Sequence, residues 1–299
     1  MNQAPAPIEF RDGTDIRRIR LPQVQTLFAQ RAERLRQLAA DSAIADYIGL
    51  MAVLVDAQDQ CVQKMQTELS AGMQKLPLIA PSAKLDPLWH QVLFCILEWL
   101  EQQGNLLPSV VQVIKDLRNA SADELDTQAQ AILAQYPRVI ANAPFIAAAL
   151  QVVYASKAAQ LSEKSVPYTD PASACPACGG APVVSVVRLG EQNQNYRYLH
   201  CGVCETEWHM VRVKCTHCGS TNGIAYEHIE NGPEYIQAET CTECHTYSKV
   251  IDQEKNAQTE PLADDLGSFA LDLLMSQTEF ARTSFNPLLP FAAIEGHAE

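Results

Sequence analysis

The chain has 299 residues, 47 % of them hydrophobic, and a formal net charge of −13 at pH 7. That length and apolar content suffice for about two packed domains, and the acidic balance opposes non-specific binding to nucleic acid or to an anionic membrane surface. No apolar run approaches the roughly 18 residues of a membrane-spanning helix.

Residues 1–20 are polar and proline-containing and predict a loose arm. Arg17-Arg18 is followed by Ile-Arg-Leu-Pro-Gln-Val-Gln, too polar for the core of an export signal. The expectation is a cytoplasmic protein whose thiols stay reduced. From Leu21 the apolar residues Leu21, Val24, Phe28, Ala32, Leu35 and Leu38 recur at three- and four-residue steps, the face of an amphipathic helix. Ser42 opens a second helix carrying Ile44, Ile48, Met51, Leu54, Val55, Cys61 and Val62. Leu76 to Lys84, with Pro77 and Pro81, reads as a loop. Asp86-Pro87 starts a third helix, an acid at the cap and a proline in the first turn. Pro108 opens another, to about Asn119. Ser121 with Glu124 forms a capping box for a helix to about Tyr136, and a long apolar helix follows from about Val139 to Leu161. Residues 21–165 are therefore expected to form an all-helical domain. Within it, Trp89-His90 reads as a core tryptophan beside a satisfied histidine, and Cys61 and Cys95 read as buried, unreactive thiols.

Pro167 to Pro182 is a proline-rich linker, after which the composition changes. Eight of the ten cysteines fall in four C-x-x-C pairs: Cys175 with Cys178, Cys201 with Cys204, Cys215 with Cys218, and Cys241 with Cys244. Adding forty to each position in the first four gives the second four, and twenty-two residues separate the second cysteine from the third in both sets. The stretch is a tandem repeat of one four-cysteine module, spanning 171–213 and 214–252. A C-x-x-C on a tight turn aims two thiolates at one ion about 2.3 Å from each sulfur for zinc, and two such turns complete a tetrahedral all-sulfur site suited to zinc or iron. Gly179 and Gly219 follow the first pair of each module and supply the positive φ of the turn. This is the knuckle pattern of rubredoxins and zinc ribbons. Thioredoxin-like chemistry needs one C-x-x-C opening a helix, disulfides need an oxidising compartment, and a single iron–sulfur cluster leaves four cysteines over. The repeat favours sequential ligand pairing over a cross-braced set of Cys175, Cys178, Cys215 and Cys218.

Val183–Leu189, Tyr196–His200, Trp208–Val213, Ile224–Ile229 and Tyr235–Ala238 read as strands, with a turn over 190–195. No flexible linker separates Cys204 from Cys215, so the modules should pack as one unit. Five histidines (His200, His209, His217, His228, His245) lie here, but eight cysteines complete two sites without them, and Trp208 is placed to pack over the first site. From Pro171 to Asp252 there are five Lys/Arg against nine Asp/Glu, where a nucleic-acid-binding ribbon shows a basic face. Pro261–Met275 predicts a helix with Asp264 and Asp265 in a first turn that favours acids. The apolar tail Ser284–Pro290 must dock on its own chain or a partner; helix and tail together occupy 261–299. The fold class is α+β: an N-terminal all-α domain, tandem rubredoxin-like or zinc-ribbon four-cysteine modules, and a C-terminal helix.

The run Tyr198-Leu-His-Cys-Gly-Val-Cys-Glu-Thr-Glu-Trp-His-Met-Val-Arg-Val-Lys-Cys-Thr-His-Cys218 resembles the central motif of the FdhE family, the formate dehydrogenase accessory proteins. Cys175-Pro-Ala-Cys-Gly179, Ala263-Asp-Asp-Leu266, Leu271–Met275, Asn286–Pro290 and Leu21–Tyr47 are similar to that family too. The resemblance implies a cytoplasmic, non-enzymatic maturation factor. It would bind the catalytic subunit of a respiratory formate dehydrogenase before export and carry two mononuclear irons, with zinc as the alternative ion. Two further readings are open: an electron-transfer protein with two iron–tetrathiolate sites, for which so large a helical part is excessive, and a structural zinc-ribbon scaffold.

Overall fold

The structure, a computed structural model, describes residues 16–72, 74–80, 84–135, 140–168, 173–189 and 196–289. A short strand β1 (Ile19–Arg20) leads into helices α1 (Val24–Ala39), α2 (Ala45–Lys64) and the single turn α3 (Gln66–Leu69). These are followed by α4 (Leu88–Gln102), α5 (Pro108–Asn119), α6 (Ala122–Leu133) and α7 (Ala143–Ala159). The predicted starts hold where side chains satisfy the first-turn amides. Asp86 Oδ1 accepts from Leu88 N at 2.9 Å, and Ser121 and Glu124 form the full capping box, a device worth about 1 kcal/mol. The predicted helix end at Tyr136 and start at Val139 lie outside the described residues.

α7 is buried on nearly every face, which explains its alanine content: a helix enclosed all round is apolar all round. It packs on α2, α4 and α6. The expected core residues are inside; Phe28, Leu35, Ile48, Leu54, Val55, Leu93 and Ile96 are fully buried. Trp89 is buried as well, donating Nε1–H to Asp126 Oδ1 at 3.1 Å, and His90 lies 3.0 Å from the same carboxylate. Cys61 and Cys95 meet between α2 and α4; a hydrogen bond to Cys95, then burial, pushes the Cys61 thiol up.

The second half contributes β2 (Pro182–Val187), β3 (Arg197–Cys201), β4 (Glu207–Met210), β5 (Ile224–Glu227), β6 (Ile236–Cys241), β7 (Thr246–Asp252), α8 (Pro261–Gly267), α9 (Phe269–Met275) and β8 (Ala281–Arg282). Each module is an antiparallel three-strand meander, β2-β3-β4 and β5-β6-β7. The two join edge to edge in one sheet of order β1-β4-β3-β2-β7-β6-β5, through parallel pairing of β2 with β7. Arg197 on β3 reinforces the junction, with both terminal guanidinium nitrogens 2.8 Å from Glu239 on β6 and one of them donating to Arg212 O at 2.8 Å. The modules are therefore one rigid unit. The predicted turn over 190–195 lies outside the described residues.

Four expectations differ from the structure. The end of the N-terminal arm is tied down: Ile19 and Arg20 pair with Trp208 and Glu207 at the sheet edge, and Ile19 is buried in the core. The strand predicted to Val213 stops at Met210, where the chain leaves the sheet for the second module. A seventh strand, β7, was not expected. The single C-terminal helix is two, broken at Ser268. There the buried Lys249 donates to Asp265 O at 2.8 Å and Ser268 O at 3.2 Å, satisfying carbonyls at the end of α8.

One apolar core runs from α1 through α7 into the first module, taking in Cys175, Cys178, Cys201, Cys204 and Trp208, then α8 and the tail residues Leu288 and Leu289. A separate small cluster of Ala238, Tyr247, Leu271 and Met275 joins the second module to α9. The described part of the tail docks on its own chain: Phe285 N donates to Gln135 Oε1 at 2.9 Å, and Tyr47 OH donates to Leu288 O at 2.8 Å.

Candidate metal centres

The eight cysteines gather into two sets, Cys175, Cys178, Cys201, Cys204 and Cys215, Cys218, Cys241, Cys244, with the sulfurs of each set within 4.8 Å of one another. This is the sequential grouping. Cys175 and Cys204 sulfurs are 3.5 Å apart, as are those of Cys178 and Cys201. In the second set the matching separations are 3.6 and 3.8 Å. A tetrahedron of sulfurs about 2.3 Å from a central ion has edges of about 3.8 Å, so both sets fit one mononuclear ion.

The local backbone explains the convergence. Gly179 and Gly219 take φ of +84° and +75°, as their positions after the first pair of each module predicted. The same left-handed turn follows the second pairs, where Glu205 has φ +60° and His245 φ +52°. These two positions are forty residues apart and carry no glycine to announce them. In three of these turns the amide after the pair folds back onto the first cysteine: Gly179 N donates to Cys175 O at 2.8 Å, Gly219 N to Cys215 O at 3.1 Å and Glu205 N to Cys201 O at 3.2 Å. Amides also point at sulfur, as from Gly180 to Cys178, Val203 to Cys201 and His217 to Cys215, each at 3.4 Å. Such donors stabilise thiolates. The Cys201 thiol is held well below its ordinary value by hydrogen bonds from Cys175, Cys178 and Cys204, whereas burial pushes Cys204 well above it. Four enclosed sulfurs this close ionise together only around a cation, which is the chemistry of zinc or iron thiolate sites.

Histidine supplies no sulfur-site ligand in this geometry; both sets are made of cysteines. His200, beside Cys201, is buried between Glu205 (2.8 Å) and Glu207 (3.1 Å). Burial disfavours the charged imidazole, but both carboxylates overcome it and push His200 up to about 9. His209 packs edge-on to Tyr196 and Tyr198. His217, His228 and His245 are exposed.

Buried ion networks surround these modules, and sequence reasoning missed them. Arg31 on α1 grips Glu205 and Glu260, all three buried. Arg34, one turn on, pairs with Asp264 at 2.6 Å. Asp265 and Asp272 pair with Arg282 and Lys249. Asp264 lies in the first turn of α8, as expected, and both Asp264 and Asp265 are in addition buried charge partners. Burial would raise the Asp265 carboxyl, but Arg282 and Lys249 hold it below the usual carboxylate range. A depressed carboxylate contributes stability above its unfolded value and loses it as pH falls through the folded value. Urea midpoints should therefore fall more steeply below about pH 4 in the parent than in Asp265→Asn. Equal acid limbs in the two proteins would rule this out; any ion loss in acid is common to both.

A helical body bearing two four-cysteine knuckle groups on one fused sheet defines a thiolate-type metal-binding protein built by tandem duplication. Consecutive stretches of the chain match the family descriptions "FdhE, N-terminal" over residues 16–170, "FdhE, central domain" over 174–212 and "FdhE, C-terminal domain" over 213–289. The chain belongs to the FdhE family. It is 36 % identical over 292 residues to the FdhE homolog of Klebsiella pneumoniae, covering 94 % of each. To the FdhE protein of Salmonella enteritidis it is 37 % identical over 279 residues, 90 % of this chain and 89 % of that one. The crystal structure of the FdhE protein from Pseudomonas aeruginosa superposes with a TM-score of 0.76 at 31 % identity, over 93 % of this chain and all of that one.

Proposed function

We propose that this chain is a cytoplasmic accessory protein in the maturation of a respiratory formate dehydrogenase. It binds the immature catalytic subunit and holds one metal ion in each four-cysteine group through Cys175, Cys178, Cys201 and Cys204, and Cys215, Cys218, Cys241 and Cys244. The observation that carries this reading is the match to FdhE across the described chain together with both complete cysteine sets. Its parts follow the architecture: a helical body over 21–165, modules over 171–213 and 214–252, and a C-terminal segment over 261–299. No helix among the described residues is long and apolar enough to cross a membrane. A tetrathiolate-bound ion supplies a rigid cross-link and, when it is iron, a one-electron couple. The chain's own contribution is a pair of preformed sulfur cages and a rigid surface for the client.

The test has two readouts. The tagged chain is co-expressed with a formate dehydrogenase catalytic subunit, and co-purification is expected; a client recovered equally without this chain overturns client binding. Protein purified without oxygen should hold about two ions per chain. Two irons, with thiolate charge-transfer absorption appearing on oxidation, favour the iron reading. Two zincs in a colourless, redox-silent protein leave client binding as the function.

A further inference from the structure

The two cysteine groups are copies in sequence but not in setting. In the first, all four cysteines are at most 3 % exposed. Its knuckles lie between the helical body and the tail. Leu78 N donates to Ala177 O at 2.8 Å. Gln151 on α7 donates to Gly202 O at 2.8 Å, itself held by Gln58 of α2 at 3.0 Å. At Gly202 the packing is so close that a Cβ would lie 2.5 Å from Val183 and 3.1 Å from Pro287. A cavity of about 120 Å³ lies beside this group, but it is lined by apolar side chains such as Ile132, Leu150 and Val183, by Gln135 and Gln151 and by glycines, not by the cysteines.

Forty residues on, the cover is partial: Cys215 and Cys241 stay buried, but the features that enclose the other two positions are gone. Ala177, fully buried, corresponds to the exposed His217; Gly202 and Val203 correspond to the exposed Thr242 and Glu243. The buried Glu205, fixed by Arg31 and His200, corresponds to the exposed His245, whose ring meets the side chains of Glu279 and Phe280. Cys218 is exposed and Cys244 half-buried, against Cys178 and Cys204 in the core. One copy of the module has polar residues where the other has apolar ones, and its sulfur reaches solvent.

We propose that the second four-cysteine group is the exchange site of the chain. Its ion is traded with an external thiolate acceptor through Cys218, while the first group keeps its ion as a permanent part of the core. This rests on the reading that both groups hold metal. In the step, an incoming thiolate forms one sulfur–metal bond, the Cys218 sulfur–metal bond breaks, and the freed Cys218 thiolate takes a proton from water. No electron moves. Repetition supplies the remaining bonds to the acceptor. The first group cannot follow this route without opening the core that helices, module and tail share.

The experiment uses the full chain carrying two cadmium or zinc ions, verified by metal analysis. It is mixed with glutathione in one arm and with an unloaded four-cysteine peptide in the other, to separate a low-mass thiol from a protein acceptor. Release is expected in two phases of equal amplitude. The fast phase should be at least about tenfold faster and rise with acceptor concentration, whereas the slow one should not. In parallel, brief alkylation of the loaded protein, read peptide by peptide, should modify Cys218 first and Cys244 next, leaving Cys175, Cys178, Cys201 and Cys204 protected. Cys218→Ser should abolish the fast phase and keep the slow one; the alkylation pattern of the unaltered chain decides the matter if that variant does not fold. Release of both ions in one phase, or equal alkylation of the two sets, overturns the exchange assignment and leaves the accessory reading intact. A chain that holds no ion before mixing overturns the metal reading beneath both.

Discussion

Cys201→Ser is expected to leave a chain that holds one ion instead of two and has lost its cooperative fold, whereas Cys241→Ser loses one ion and keeps the helical core. The two cysteines are equivalent in the repeat, so the contrast isolates their surroundings. Cys201 lies fully buried in the apolar core that also contains Phe28, Leu54, Trp89 and Trp208. Structural zinc sites bind with about 10–16 kcal/mol of apparent free energy in small peptides, and that binding is folding energy. A protein of ordinary stability has only about 5–15 kcal/mol in total. Removing one ligand from the enclosed site leaves three buried sulfurs without a full coordination shell, beside Arg31, Glu205 and His200, whose positions depend on the same turn. Cys241 is buried too, but it ends β6 outside that core, with Thr242 and Glu243 exposed next to it and Cys218 of its own set exposed, so the damage stays local. Near-ultraviolet circular dichroism, metal content and urea unfolding of the two variants give the comparison. Equal loss of cooperativity in both would show that the first site is not part of the shared core.

What could be read from the sequence followed from local rules. The helices announced themselves by period and caps, and the metal ligands by a repeat that needs no structure to see. The left-handed turns were visible where glycine marks them, at Gly179 and Gly219, and invisible at Glu205 and His245, where side-chain contacts hold a conformation that these residues otherwise avoid. β7 escaped because Thr246-Tyr-Ser-Lys-Val-Ile-Asp252 does not alternate apolar with polar. Lys249 points into the protein, its ammonium 2.6 Å from Asp272. The forty-residue offset was the available signal, since it lays Glu207–Met210 onto 247–250 inside β7. Arg31 and Arg34 fall outside the apolar repeat by which the first helix was recognised. Their carboxylate partners are 174 to 230 positions away, and no local pattern connects residues so distant.

Arg31→Met should cost the loaded protein about 3–5 kcal/mol, the range for removing one member of a buried ion network, and toward the lower end of it. The guanidinium makes four short contacts at once: to Glu205 at 3.0 and 2.6 Å and to Glu260 at 2.9 and 2.8 Å. Methionine fills much of the volume, so the loss is mainly electrostatic. Two carboxylates would be left inside the protein facing one cation fewer, and burying an unpaired charge is among the most expensive substitutions. The cost is limited at Glu205, because His200, pushed up to about 9, remains a charged partner 2.8 Å away at neutral pH. Glu260 keeps less: the amide of Ala263 at the start of α8 donates to it at 2.7 Å, and Arg188 acts on it only through space. Arg31 therefore joins three elements that local sequence does not connect: α1, the turn after Cys204, and the first turn of α8. Replacing the whole triad by uncharged residues, Arg31→Met with Glu205→Gln and Glu260→Gln, should recover part of the loss, since a buried ionic group replaced as a whole is often close to neutral. Urea unfolding at fixed metal load measures both variants. A midpoint for Arg31→Met equal to the parent's would mean that the network adds nothing to stability, and that apolar packing alone holds the helical body to the first module.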